Sequence, residues 1–374
     1  MSSRYNHTRC GAPAVMLSNI SPGSGGNYTV KIIKKRRAKS PGTLVRNTST
    51  SAMVKDLLSK ECPLQRCGKY RKLYIRAMDQ QKPAFKRTRI APTPSGFLHV
   101  GNVLSFAITA GLAEASGAKI LLRIDDMDRE RATPEYVDDI FDTLNFLGLP
   151  WHEGPRDNVE FWKEYSQLHR LQLYNQALSQ LVQQQQVFAC NCSRSQILLK
   201  NSEGHYPGTC RDKNIPLDSK EVCWRIRTEQ PAITIMDLPG KKNTAVLPGS
   251  MNDFVVRKKD GFPAYQLTSL IDDLFFEVDL IVRGEDLRPS TLAQHYLATV
   301  LGKQDFYNTR FHHHALLYDA EGQKLSKSAG AVSIRSLRQE GKTPADIYAL
   351  IGRMMNLPAP VRDWPSLAAA LELA

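Results

Sequence analysis

An α/β domain with a parallel sheet is the fold the sequence predicts, and three observations predict it. Short apolar runs of strand length alternate with segments of helical spacing from Lys86 onward. Pro- and Gly-bearing turns punctuate that alternation where strands and helices should stop. The composition, 42% hydrophobic, 23% charged and 8% aromatic over 374 residues, is that of a soluble globular enzyme and excludes wholesale disorder or a fibrous repeat. No stretch approaches the roughly 18 consecutive apolar residues of a bilayer-spanning helix, so an integral membrane protein is excluded as well.

Lys86–Ala91 reads as the first strand, and Pro92-Thr93-Pro94-Ser95-Gly96 as a loop whose prolines and glycine prevent regular structure. Val103, Phe106, Ala107, Ala110 and Leu112 are spaced for a helix over Asn102–Ser116, with Gly117 as its C-cap. Lys119–Ile124 is a compact apolar strand. Thr133 and Pro134 form an N-cap and first-turn pair opening a second helix that Gly148 ends. Between about Phe188 and Phe262 the texture changes to cysteines, turn residues and short strand-like runs, Val222–Arg227 and Ala232–Asp237. Beyond it come a helical pattern over Ala264–Asp272, a strand over Val278–Arg283, a helix over Arg288–Leu301, and helical material from Ser333 to Leu373. The expected organisation is a basic extension over 1–85, a first half of the catalytic domain over 86–187, an insertion over 188–262, and a second half over 263–374.

The net charge of +13 is unevenly spread. Residues 1–77 carry 16 Lys or Arg against only Asp56 and Glu61, a balance of +14, which leaves −1 for the rest. A near-neutral body does not hold nucleic acid by bulk charge, so any basic groove must be local. The basic segment supports three readings: an arm that touches RNA phosphates, an organellar transit peptide, or translation that truly begins at Met78, the reading preferred here. It lacks the apolar stretch of a secretory signal. Seven cysteines, an odd number, speak against a disulfide framework and for a reducing, cytoplasmic setting.

Two segments carry nucleotide chemistry. In Arg89–Asn102 (Arg-Ile-Ala-Pro-Thr-Pro-Ser-Gly-Phe-Leu-His-Val-Gly-Asn) a strand runs into a Pro/Gly loop and a helix starts at His-x-Gly. A helix N-terminus offers unpaired N–H groups and a positive dipole end to phosphate, and a His at that mouth can donate to a phosphoryl oxygen as charge builds there. Far along the chain, Lys324-Leu325-Ser326-Lys327-Ser328 places two lysines on a small-residue loop suited to neutralise a triphosphate. Singly, the first is also the pattern of a packed or surface histidine, and the second that of a common solvated basic turn.

Together they resemble the paired ATP motifs of class I aminoacyl-tRNA synthetases, and the long form of the first motif resembles the glutamyl/glutaminyl branch. The resemblance implies a Rossmann-like catalytic domain, ATP contacts at His99, Gly101, Asn102, Lys324 and Lys327, and catalytic roles for His99 and Lys327. Arg123-Ile124-Asp125-Asp126-Met127-Asp128 is similar to the run after the second strand of glutamyl enzymes. Pro263-Ala264-Tyr265, Ile271-Asp272-Asp273 and Val282-Arg283-Gly284-Glu285-Asp286 are similar to their amino-acid pocket. The implied glutamate site is Arg89, Ala91, Thr93, Asp125, Tyr265 and Arg283. The chemistry agrees: Arg89 and Arg283 can clasp carboxylates, Asp125 can accept from the α-ammonium, and Tyr265 can donate a hydroxyl. Asp125 stands where the family usually has Glu, one methylene short.

Cys190-Asn191-Cys192 and Tyr206-Pro207-Gly208-Thr209-Cys210 give Cys-x-Cys and Tyr-x3-Cys, and three thiolates could hold a structural zinc ion. His205 is the more usual type of fourth ligand, but the arrangement resembles the zinc module of glutamyl-Q tRNA(Asp) synthetases, which implies Cys190, Cys192, Tyr206 and Cys210. Cys223 is expected in the core. Adjacent histidines on an extended segment point alternately, so His312-His313-His314 is read as structural. After the lysine motif 46 residues remain, fewer than the helical anticodon-binding half of a complete glutamyl enzyme, and the glutamyl-Q enzymes share that shorter plan. The expected partners are ATP with magnesium, L-glutamate and the tRNA(Asp) anticodon loop, without a membrane, for a monomer. A short glutamyl-tRNA synthetase charging tRNA(Glu) and a small-molecule adenylate-forming ligase are the alternatives.

Overall fold

The computed structural model describes residues 84–318 and 332–373, together with the backbone of four short strands nearer the N-terminus. There Val15–Leu17 pairs with Ile32–Lys34 and Ser21–Pro22 with Tyr28–Thr29, both antiparallel. This segment, Met1–Lys82, is a unit separate from Pro83–Ala374. The readings made for the rest of the N-terminal extension, and those for Lys324 and Lys327, lie outside the described residues.

In the larger unit the elements are β1 (Arg87–Ile90), α1 (Val100–Ser116), β2 (Lys119–Leu122), α2 (Pro134–Phe146), α3 (Leu171–Gln183), β3 (Val187–Cys190), α4 (Arg194–Lys200), β4 (Cys223–Ile226), β5 (Ala232–Asp237), β6 (Lys241–Val246), β7 (Val255–Arg257), α5 (Tyr265–Phe275), β8 (Leu280–Gly284), α6 (Arg288–Val300), β9 (Arg310–His314), α7 (Ile334–Gln339), α8 (Pro344–Met354) and α9 (Trp364–Ala370). The punctuation works as its chemistry requires. Thr133 caps α2 through its side chain, and Gly117 ends α1 in the left-handed region at φ 76°.

The main sheet runs β6-β5-β9-β8-β1-β2, parallel except for the β5–β6 hairpin at one edge. Helices cover both faces. On β8, Leu280 and Val282 join a core with α1, α2, α8 and α9, whereas Ile281 joins one with α3, α5 and α6. That alternation is the two-residue period of a strand buried on both sides. A second, antiparallel sheet, β7-β4-β3, carries the cysteine module. The β5–β6 hairpin falls within the stretch expected to form the insertion, 188–262, yet β5 pairs with β9 of the main sheet. No described helix is long and apolar enough to cross a membrane.

Candidate active site

The parallel strands β1, β2 and β8 deliver their C-terminal ends to one side, where open α/β sheets place ligands. A cavity of about 430 Å³ opens there. Its lining includes Arg89, Ala91, Thr93, Asn102, Asp125, Tyr265 and Arg283, so the whole glutamate set expected from sequence is brought to one space.

Arg89, Arg123, Arg283 and Asp125, all buried, line it, and the buried Asp273 pairs with two of these arginines. Arg89 donates Nε to Asp273 Oδ1 (3.1 Å) and Nη1 to the Val282 carbonyl (3.1 Å). Arg123 clasps Asp125 through Nε to Oδ1 (2.7 Å) and Nη2 to Oδ2 (3.1 Å), and reaches Asp273 Oδ1 with Nη1 (2.7 Å). Burial opposes ionisation of Asp273, but Arg123, Arg89 and Arg283 outweigh it and hold its carboxyl below the ordinary range. Asp125 goes the other way: burial pushes it up, with Arg123 acting against that push.

Arg283 differs from its neighbours. Nη1 donates to Thr291 Oγ1 (3.2 Å) and Gln294 Oε1 (3.0 Å), while Nε and Nη2 are buried with no protein partner. Burial lowers its pKa. Arg123 also lies 4.0 Å from Asp272, which Arg170 clasps, so four guanidinium groups face three carboxylates and the cluster carries one positive charge in excess. A buried cation with an unpaired edge is stabilised by an anion placed against it. Tyr265, the first residue of α5, lines the same cavity and is 39% exposed.

The residues expected on the nucleotide side start α1. His99 is its N-cap: Nδ1 accepts from the Gly101 N–H (3.1 Å), and Asn102 Oδ1 accepts from the His99 N–H (3.1 Å). An Nδ1 that accepts leaves the proton of the neutral ring on Nε2, which is then a donor. The His-x-Gly spacing has a steric cause: a Cβ at Gly101 would lie 2.9 Å from His99 Cε1 and 3.0 Å from Nδ1. Across the mouth, Ser333 forms an antiparallel bridge with His99. The chain therefore returns from the lysine-bearing segment at His99 itself, six residues after Lys327.

In the cysteine module the Sγ atoms of Cys190, Cys192 and Cys210 lie within 4.8 Å of one another, with Cys192 and Cys210 3.5 Å apart. Sulfurs around a tetrahedral zinc ion stand about 3.8 Å apart, given a Zn–S distance near 2.3 Å, so this donor set fits zinc. The Tyr206 hydroxyl sits at the cluster, accepting from the Cys210 N–H at 2.7 Å. His205 is engaged elsewhere, with Nδ1 3.1 Å from Glu203. Cys223 is buried as expected and donates to the Cys190 carbonyl at 3.4 Å. Chiefly through its hydrogen bond with Cys223, the Cys190 thiol is lowered to about 4.

The sequence motifs contain Arg123 and Asp273 without marking their task. The signal was present: Arg123 precedes Asp125-Asp126, and Asp273 belongs to a second Asp pair. Each pair splits. Asp125 and Asp273 face the cavity cluster, whereas Asp126 accepts from Ser166 and Gln167, and Asp272 from Arg170, Gln167 and Tyr174.

The family described as tRNA synthetases class I (E and Q), catalytic domain, matches residues 86–363. A glutamate–tRNA ligase 2 of Syntrophus aciditrophicus is 34% identical over 292 residues, covering 74% of this chain but only 58% of that protein. A glutamyl-Q tRNA(Asp) synthetase of Symbiobacterium thermophilum is 34% identical over 291 residues, 73% of this chain and 88% of that protein. In three dimensions the chain is similar to a glutamate tRNA ligase from Elizabethkingia meningosepticum solved with its amino acid, at a TM-score of 0.57 and 22% identity over 76% of this chain and 64% of that one. The chain thus spans less than two thirds of the glutamate ligases it matches. It belongs to the class I tRNA synthetases of the E and Q type, and residues 86–363 are its catalytic domain.

Proposed function

We propose that this chain activates L-glutamate with ATP and transfers the glutamyl group to the queuosine at the first anticodon position of tRNA(Asp). The observation that carries the first half is the Arg283 edge, buried and unpartnered in a cavity it shares with Arg89. Glutamate has two carboxylates and one ammonium, so its net charge of −1 balances the excess of the cluster. Arg89 and Arg283 would hold carboxylates, Asp125 would accept from the ammonium, and Tyr265 would donate its hydroxyl, with Ala91 and Thr93 completing the wall.

In the activation step a glutamate carboxylate oxygen attacks the α-phosphorus of ATP in line, and pyrophosphate leaves. The His99 Nε2–H, the α1 N-terminus at Gly101 and Asn102, and the Lys324 and Lys327 ammonium groups stabilise the charge that builds on phosphoryl oxygens. Positioning and electrostatics do the work, without an enzyme nucleophile. Magnesium would accompany ATP as its counter-ion. Zinc would be held by Cys190, Cys192, Cys210 and Tyr206, tying a loop-rich module together.

In the second step a cyclopentenediol hydroxyl of the modified base attacks the mixed anhydride and releases AMP. What supports this acceptor is the similarity to a glutamyl-Q enzyme along 88% of that protein. The similarity to glutamate–tRNA ligases favours a second reading, in which the acceptor is the 3′ end of tRNA(Glu). Labelled glutamate incubated with ATP and each RNA separates them. Label on queuosine-containing tRNA(Asp) alone is expected, and label on the queuosine-lacking form or on tRNA(Glu) would overturn the acceptor.

A further inference from the structure

The triple-histidine run has a use that its reading as structural did not supply. Arg283 of β8 and His313 of β9 are register partners on neighbouring parallel strands, and Thr291 of α6 packs over both. Thr291 Oγ1 lies 3.2 Å from Arg283 Nη1 and 2.8 Å from His313 Nε2, and His313 Nδ1 lies 3.1 Å from Asp237 Oδ1. His314 faces the opposite side, with Nε2 2.6 Å from Ser105 Oγ.

The protons in this row can be ordered. A carboxylate only accepts, so the ring donates to Asp237 from Nδ1. Burial above all, helped by Arg288 and Arg283, lowers His313 to about 4, so near neutral pH the ring has a single proton and it is the one on Nδ1. Nε2 is then an acceptor and takes the Thr291 hydroxyl proton. That turns a Thr291 lone pair to Arg283, which donates Nη1. With the proton on Nε2 instead, two lone pairs would face each other at Asp237, and the hydroxyl would be left to donate to the Leu287 carbonyl, 3.3 Å away. The Thr291 and His313 side chains are fully buried, so water does not compete for the link between them.

We infer that Asp237, His313 and Thr291 are positioning residues, a directional hydrogen-bond row that fixes one edge of the Arg283 guanidinium and with it the placement of this side chain in the wall of the amino-acid cavity. Their effect is on capture of the amino-acid carboxylate rather than on phosphoryl transfer. The inference rests on the glutamate reading of the cavity, and its test is built to fail separately from that reading.

Glutamate-dependent ATP–pyrophosphate exchange is measured for Thr291→Val, which keeps the shape and loses the hydroxyl, and for Thr291→Ser, which restores it. Thr291→Val is expected to raise the glutamate KM ten- to thirtyfold, with the ATP KM and the kcat at saturating glutamate within twofold of the parent. Thr291→Ser is expected to return the KM to within threefold. His313→Leu should act in the same direction, and combining it with Thr291→Val should add nothing. An unchanged glutamate KM in Thr291→Val, an equal loss in every parameter, or no rescue by Ser would overturn the inference. Should the parent itself show no glutamate-dependent exchange, the proposed function fails, and a long-range ¹H–¹⁵N spectrum of the His313 ring decides the row independently. A neutral ring protonated on Nδ1 supports it, and one protonated on Nε2 refutes it.

Discussion

Ile334 donates its backbone N–H to the carbonyl of Leu98 at 2.7 Å. The residue just after the lysine-bearing segment is thereby fastened to the residue just before His99. Leu98 is gripped on its other side too, since its own N–H donates to the buried Asp139 carboxylate of α2 at 3.2 Å. Alongside, Arg335 of α7 pairs with Glu135 and stacks on Phe97, whose ring meets Tyr136 edge-on. One face of α2 thus sets where Ser333–Arg335 meets the residues leading into His99.

Removing that acceptor should show in stability. Asp139→Ala leaves the buried Leu98 N–H unpaired and is expected to cost about 1–3 kcal/mol in urea unfolding. Asp139→Asn keeps an acceptor oxygen and should cost clearly less. Equal losses in the two variants would mean that the hydrogen bond is not what Asp139 contributes.

Gly101→Ala tests the steric reason for His-x-Gly. The added methyl group would push the His99 ring from its capping position, so adenylate formation should fall at least tenfold while the midpoint of thermal unfolding moves by only a few degrees. Unimpaired single-turnover adenylate formation would show that the ring position is not required.

His295 supplies a pH test. It lies within α6, enclosed by Phe306, Phe311 and Tyr307, and neither ring nitrogen has a partner. Burial lowers it to about 4 from an ordinary value of 6.5. As pH falls below about 6.5 the unfolded chain binds a proton that the folded chain does not, so this stability is lost between about 6.5 and 4, to a total of roughly 3 kcal/mol. His313 acts in the same direction. His295→Phe should flatten the stability-versus-pH curve across that window and should not destabilise at pH 7. A curve as steep as the parent's would refute the assignment.

The sequence made the sheet legible where period and punctuation agree. Thr133-Pro134 and Gly117 mark real ends, and β8 alternates between two cores as a doubly buried strand should. The resemblance to glutamyl enzymes also grouped Arg89, Ala91, Thr93, Asp125, Tyr265 and Arg283, which line one cavity. The sequence did not reveal that β5 leaves the inserted stretch to join the main sheet, since a half-buried strand reads alike in either sheet. Nor did it show how Asp125 and Asp273 are held. Arg123, directly after β2, reaches Asp125 two residues on and Asp273 150 residues away, and only the second is a pairing that no local spacing encodes. His313 was obscured by its neighbours: three identical residues face different sides, and only the packing of α6 picks one out.

The cysteine module gives a metal test. Purified protein is expected to carry close to one equivalent of zinc, and Cys192→Ser should lose most of it. Chelation should expose backbone amides of β3, β4 and β7 to hydrogen exchange while β1 and β8 stay protected. Full protection of the module after complete zinc removal would contradict a structural role for the ion.

The central claim is that an excess buried positive charge in the arginine cluster that includes Arg283 selects an amino acid carrying two carboxylates. The direct measurement is ATP–pyrophosphate exchange with glutamate and with glutamine at equal concentration. Glutamine keeps the shape but replaces one carboxylate with an amide, leaving the guanidinium without a counter-charge. Exchange supported by glutamate at least 100-fold better than by glutamine is the predicted result, about 2.7 kcal/mol of discrimination. Equal exchange with the two amino acids, or exchange with glutamine alone, would contradict it.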